Sequence, residues 1–219
     1  MASLFKWARK EDVSPASPVT SSAPAAEPSG GVALTSKVLP KVLASLAHVS
    51  APVLIDLGPV VGANVSFFGE QLACKIFVED LFAEREAHAR AGTLGALPEA
   101  LTARLPHEHG TVDGVLCWDF FEYLDKPSAQ ALATQLVALL RPGGIVYGFF
   151  GGPPGALTSY TRYAVEGPST LRLRQVPTTS TPRYVRVVRD LNRLFEGLVT
   201  AESVLLKNNT RETLFRKPT

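Results

Sequence analysis

Acidic residues stand directly after three short apolar runs of this chain, and glycines follow the first of them. The run at 52–57, PVLIDL, carries Asp56 and opens into Gly58, Gly62 and Asn64; the run at 75–78, KIFV, leads to Glu79 and Asp80. The run at 113–118, DGVLCW, leads to Asp119, Glu122 and Tyr123. Glycines just past a strand let the backbone turn sharply and approach a ligand with no Cβ in the way. A carboxylate some twenty residues further on, at the next strand end, can accept hydrogen bonds from both hydroxyls of a ribose. Trp118 offers a flat wall, and Asp119, Glu122 and Tyr123 are candidates for a base that draws a proton from an acceptor. No metal site is expected. His107 and His109 flank Glu108, but a zinc site needs three or four converging ligands, and His48 and His88 lie far off in sequence.

The elements that must position these residues are legible from periodicity. Val38, Val42, Leu43 and Leu46 recur at helical spacing after Thr35 and Ser36, either of which can cap, and predict a helix of about twelve residues with Pro40 in its first turn. Runs 52–57, 75–78, 113–118 and GGIVYGFF before Gly151 read as strands buried on both faces. Helices are expected over 65–72, 81–90 and 128–140. Between 91 and 112 the glycines and prolines break any period, and no strand is visible there. A helix over 187–195, then strands over 198–206 and 210–216 joined by KNNT, predict a terminal hairpin on the sheet edge. Alternating buried strands and helices imply a doubly wound, mostly parallel α/β sheet with helices on both faces and an antiparallel C-terminal strand pair. In such a sheet, ligands bind outside the carboxyl ends of the strands.

Composition bounds the rest. With 219 residues, 46% apolar and 19% charged, the chain can fill one full core and is not wholly disordered. Residues 1–31 are expected to be a disordered tail, because VSPASPVTSSAPAAEPSGG cannot build a core, and residues 32–219 to be the folded domain. The opening MASLFKWARK mixes apolar and basic residues, a candidate for weak docking on a membrane surface or partner. No apolar run is long enough to span a bilayer and no secretory signal is recognised, which predicts a soluble, cytoplasmic protein. Cys74 and Cys117 are read as two buried thiols rather than a disulfide or a metal pair. The net charge of +2 is uneven: residues 1–161 hold 11 Lys/Arg and 15 Asp/Glu, residues 162–219 hold 11 and 5. Arg172, Arg174, Arg183, Arg186, Arg189 and Arg193 alternate with apolar positions, as on solvated faces, yet the basic quarter leaves RNA open as a partner.

Five features in this order resemble the class I S-adenosylmethionine-dependent methyltransferases: VLIDLGPVVGAN, KIFVEDL, DGVLCWDFFEYL, LLRPGGIVYGFF, and the C-terminal helix with its strand pair. They span about residues 33–217. The resemblance implies S-adenosyl-L-methionine as cofactor, with Asp56, Gly58, Gly62 and Asn64 around its methionine part and Glu79 or Asp80 on its ribose. It places Trp118 and Asp119 where methyl donor meets acceptor, and Asp119, Glu122 and Tyr123 as nominees for the base. The acceptor is expected to be a small molecule or an exposed group of a macromolecule. Asp119 is followed by Phe120 and Phe121, which is not the Asn/Asp-Pro-Pro-aromatic signature of exocyclic-amine methylation. A nicotinamide oxidoreductase is disfavoured, since no Gly-x-Gly-x-x-Gly loop is present. Val60 stands where the family has a middle glycine, so the alternative is a methyltransferase-like interaction module with weakened cofactor binding.

Overall fold

In the computed structural model, which describes residues 30–219, strand β1 (Val32–Thr35) leads into helix α1 (Leu39–Ala47). The Ser36 hydroxyl accepts the Leu39 N–H at 2.7 Å, and Pro40 lies in the first turn, where its missing donor costs nothing. The helix has nine residues, shorter than its apolar period suggests, because the chain turns at His48 to enter the sheet. The expected tail and its docking segment lie outside the described residues, but for the last two.

Strand β2 (Val53–Asp56) and helix α2 (Gly62–Leu72) enclose the glycine loop. Next come β3 (Lys75–Val78) and α3 (Leu81–Ala91); the Asp80 carboxylate accepts from the Ala83 N–H at 3.2 Å, and Gly92, at φ +69°, ends the helix. Helix α4 (Leu97–Ala103) fills the irregular stretch, and residues 104–111 form no strand. Strand β4 (Val112–Trp118) is buried throughout. Helix α5 (Lys126–Leu139) starts on Asp125, which caps the Ser128 N–H at 3.0 Å, and runs into β5 (Leu140–Gly151).

These strands form a six-stranded sheet of order β3-β2-β4-β5-β9-β8, completed by helix α6 (Val188–Leu194), β8 (Val199–Leu205) and β9 (Thr210–Arg216). Strands β3, β2, β4 and β5 are parallel, and β9 wedges antiparallel between β5 and β8. Helices cover both faces. On one, Leu101, Leu132, Leu136 and Leu191 pack with Ile55, Val115, Val146 and Phe215; on the other, Val42, Leu46 and Phe68 pack with Leu54, Leu116, Ile145 and Leu214. Among the described residues, β3 and β8 are the two edges of this sheet.

The segment between β5 and α6 forms a second, antiparallel sheet of order β1-β7-β6, made of a long hairpin, β6 (Ala156–Gly167) and β7 (Thr170–Pro182), joined by β1. Its Tyr163, Val165 and Leu171 join the second core cluster, together with Trp118 and Phe149 at the ends of β4 and β5. The hairpin is thus a lid across the carboxyl edge of the main sheet. No helix among the described residues is long and apolar enough to cross a membrane.

Candidate active site at the carboxyl edge

Asp56 ends β2 and is 1% exposed. Its Oδ1 accepts the Gly58 N–H at 2.8 Å and the Trp118 Nε1–H at 2.6 Å; Asn64 Nδ2 lies 3.5 Å from Oδ2. Burial pushes its carboxyl up to about 6, against the pull of these donors. Gly58 is held close to the indole: a Cβ there would lie 2.7 Å from Trp118 Cδ1 and 2.9 Å from Nε1. Gly62 opens α2 with nothing within 4 Å of a built Cβ.

Trp118 is 2% exposed and holds φ +49°, a left-handed conformation that is an outlier for a bulky residue. The register shift between Leu116 and Trp118 turns the strand end, and Gly148 leaves room for the Trp118 carbonyl, which a Cβ would meet at 2.8 Å. The indole lies flat on Tyr163, with centroids 5.0 Å apart and planes at 6°, and Phe149 stacks on the other face of Tyr163 at 4.9 Å. Asn64 joins Asp56 to the lid: besides its contact to Asp56, Nδ2 donates to the Tyr163 carbonyl at 2.9 Å, and Oδ1 accepts the Val165 N–H at 2.8 Å. Arg162 ties the lid to the glycine loop through the Val60 carbonyl at 2.8 Å.

The second-strand acids sit apart from this cluster. Glu79 faces Arg104 at 3.6 Å and His107 at 3.8 Å. Asp80 caps α3 at φ +44° and borders a separate hollow of 410 Å³ under Tyr160 and Pro177. Tyr123 also serves the lid: its hydroxyl donates to the Ser159 carbonyl at 2.9 Å, and its own carbonyl accepts from Arg85 Nε at 3.0 Å.

Asp119 and Glu122 instead border a cavity of 780 Å³ between the ends of β4 and β5 and the lid, with Phe149, Tyr163, Thr161 and Arg183 among its walls. A volume of this order suits a small organic ligand. Asp119 Oδ1 and Glu122 Oε2 are sealed from solvent without a hydrogen-bond partner, while Glu122 Oε1 accepts the Gly151 N–H at 3.0 Å. Burial raises the Asp119 carboxyl to about 7, opposed by the Thr161 hydroxyl and the Arg183 cation; it raises Glu122 to about 7, opposed by the Gly151 N–H and the arginines. Two carboxyls that titrate near neutrality inside one cavity can exchange protons with a ligand held there. Thr161, Tyr163 and Arg183 were not nominated from sequence. The signal was present in the alternation of Thr161, Tyr163 and Val165 with Arg162, Ala164 and Glu166.

The strand order, the reversal at β9 and the lid invite comparison with solved structures. The chain superposes on the PH0226 protein of Pyrococcus horikoshii OT3 with a TM-score of 0.51 and 14% identity, over 83% of this chain and 88% of that one. It superposes on an S-adenosylmethionine dependent methyltransferase of Mesorhizobium loti with a TM-score of 0.50 and 13% identity, over 81% and 96%. This chain has the class I methyltransferase fold. No protein-family model matches the sequence, and no curated protein sequence does.

The methyltransferase fold implies S-adenosylmethionine, and Gly58 is where its fit can be tested. The closed arrangement does not accommodate the cofactor. The indole takes the space beside Gly58, Asp56 Oδ1 already accepts from Gly58 and Trp118, and Tyr163 stacks on the indole. Among the described residues no group of three or more His, Cys, Asp or Glu could hold a metal ion.

Proposed function

We propose that the chain is an S-adenosylmethionine-dependent methyltransferase that acts on a small molecule held in the 780 Å³ cavity. The observation that carries this reading is the placement of Asp119. It is the residue after β4, at the carboxyl edge of a methyltransferase sheet, and lines the cavity under the lid while its Oδ1 is buried and unpartnered. Near neutral pH a carboxyl raised to about 7 is ionised often enough to accept a proton from a hydroxyl or ammonium, and is basic enough to keep it. Glu122, anchored on Gly151, would line the same cavity beside it, with Phe149 and Tyr163 among the walls. Alignment in a dry cavity is worth several kcal/mol. Asp56, Gly58, Gly62, Asn64, Glu79, Asp80 and Trp118 remain the proposed surroundings of the cofactor.

The filled space beside Gly58 favours a second reading, in which the scaffold binds a ligand or partner without the cofactor. Calorimetric titration of the full chain with S-adenosylmethionine and S-adenosylhomocysteine separates the two. One-to-one binding in the micromolar range supports the methyltransferase; no heat and no thermal stabilisation at millimolar ligand favours the cofactor-free scaffold.

A further inference from the structure

Trp118 combines four properties that structural economy alone does not demand. It ends a strand in the left-handed region at φ +49°, it is almost wholly buried, its Nε1–H takes the Asp56 carboxylate at 2.6 Å, and its ring lies against Gly58. A buried core needs none of this; a smaller residue would satisfy the turn with less strain. The indole presents a flat ring stacked on Tyr163 and a hydrogen-bond donor aimed at an acid, at the end of β2 where this fold would receive a cofactor. It therefore offers Asp56 a donor and fills the room beside Gly58, as a ligand there would.

We propose that Trp118 is an internal occupant of the cofactor place, so that S-adenosylmethionine or S-adenosylhomocysteine binds only by displacing its indole from Gly58, Asp56 and Tyr163. This rests on the methyltransferase reading above and adds the residue that sets cofactor affinity. The open form must be a minor one, because leaving costs the stack and a charge-assisted hydrogen bond. Apparent affinity falls by the fraction of molecules that are open, so a form open a tenth of the time or less weakens binding at least about tenfold.

The test is calorimetric titration of S-adenosylhomocysteine into the full chain and into Trp118→Asn. Asparagine tolerates the left-handed region better than most residues and frees the ring volume, and Trp118→Gly, which carries no conformational strain there, is the second variant. Folding of each is confirmed by circular dichroism and a cooperative melt. The expected result is at least tenfold tighter binding by either folded variant than by the unaltered chain, or binding by the variant where the unaltered chain shows none. Equal affinity in variant and unaltered chain overturns the role of Trp118 and leaves the proposed function standing. Absence of binding to both folded variants at millimolar ligand overturns both. The only other tryptophan is Trp7, so a Trp7→Phe background gives an independent readout in the unaltered site. Saturating ligand should change Trp118 emission as the indole leaves Tyr163, and binding without any change in emission overturns displacement.

Discussion

Gly58 and Gly62 are the same residue four positions apart in one loop, and the structure separates them by what an added methyl group would touch. At Gly58 a Cβ would press on the Trp118 ring at 2.7 Å and on Asp56 Oδ1 at 3.1 Å; at Gly62 it would meet nothing. Gly58→Ala is expected to cost roughly 1–3 kcal/mol in urea unfolding, as overpacking does, and Trp118→Asn should relieve much of that cost in the double variant. Gly62→Ala, on the first turn of α2, should be neutral or stabilise by up to about 1 kcal/mol. Equal penalties at the two positions would contradict the packing described. Asp119 gives a second measurement at this scale. Its carboxyl binds its proton more tightly folded, at about 7, than in the unfolded chain near 3.8, so between these values the folded state holds more protons. Stability from this group is therefore fully present below about pH 4 and lost as the pH rises through about 7. Asp119→Asn removes that loss. Relative to the unaltered chain, the variant should gain at least ~3 °C in melting temperature on going from pH 4 to pH 8, for a shift worth more than 1 kcal/mol. A difference that stays constant with pH would show that the carboxyl is not buried as described.

At the scale of elements, the lid is held at one end by Glu86 on Thr178 and Thr179 and Arg85 on Thr181, and at the other by Asn64. Asn64 satisfies the Tyr163 carbonyl and the Val165 N–H at once, while Arg162 and Tyr123 add one backbone bond each. Asn64→Ala would leave two buried backbone groups unpaired and is expected to destabilise by roughly 2–4 kcal/mol, with faster amide exchange at Val165 than at the core of β4. Unchanged protection of Val165 would sink that assignment. The lid is also where sequence and structure part. The strands at 52–57 and 113–118 could be read from their apolar runs, because burial on both faces leaves a continuous signal. The runs at 75–78 and 210–216 carry the bounds found for β3 and β9, but β3, expected to be buried on both faces, is exposed to half-buried because it lies at the sheet edge. The stretch at 151–186 carries a period-2 pattern in which Arg172 and Arg174 alternate with Leu171 and Leu173, and Gly167 and Pro168 mark the turn. The alternation read as solvated faces, but local pattern does not say which strands pair or what their inner face covers. The site shows the same division. That acids would stand at the strand ends was legible, but which of them face which cavity was not: side-chain partners send Tyr123 and Asn64 to the lid and Glu79 to Arg104 and His107, Asp80 borders its own hollow, and Asp119 and Glu122 line the cavity under the lid.

Over the whole molecule, about half of the cations of the basic C-terminal quarter serve as internal scaffolding. Of the 11 Lys/Arg in residues 162–219, Arg162, Arg183, Arg186, Arg216 and Lys217 donate to backbone carbonyls, and Arg172 pairs with Glu166. Arg186 alone reaches the carbonyls of Phe121, Leu124 and Tyr184, which fastens the segment before α6 to the turn after β4. Lys217 accounts for the Val137 and Leu140 carbonyls where α5 gives way to β5. A guanidinium committed to buried carbonyls is a poor partner for phosphate, since binding RNA would strand the carbonyls it leaves. Affinity for nucleic acid comes chiefly from free cations that release counterions, and six of these eleven cations are engaged within the chain. A labelled single-stranded RNA of about 20 nucleotides should therefore bind no tighter than the non-specific range, with Kd of roughly 100 μM or weaker at physiological salt. Fluorescence anisotropy across a salt series checks this. A steep salt slope with tight binding at low salt would return RNA to the acceptors, whereas flat anisotropy keeps the acceptor within the 780 Å³ under the lid.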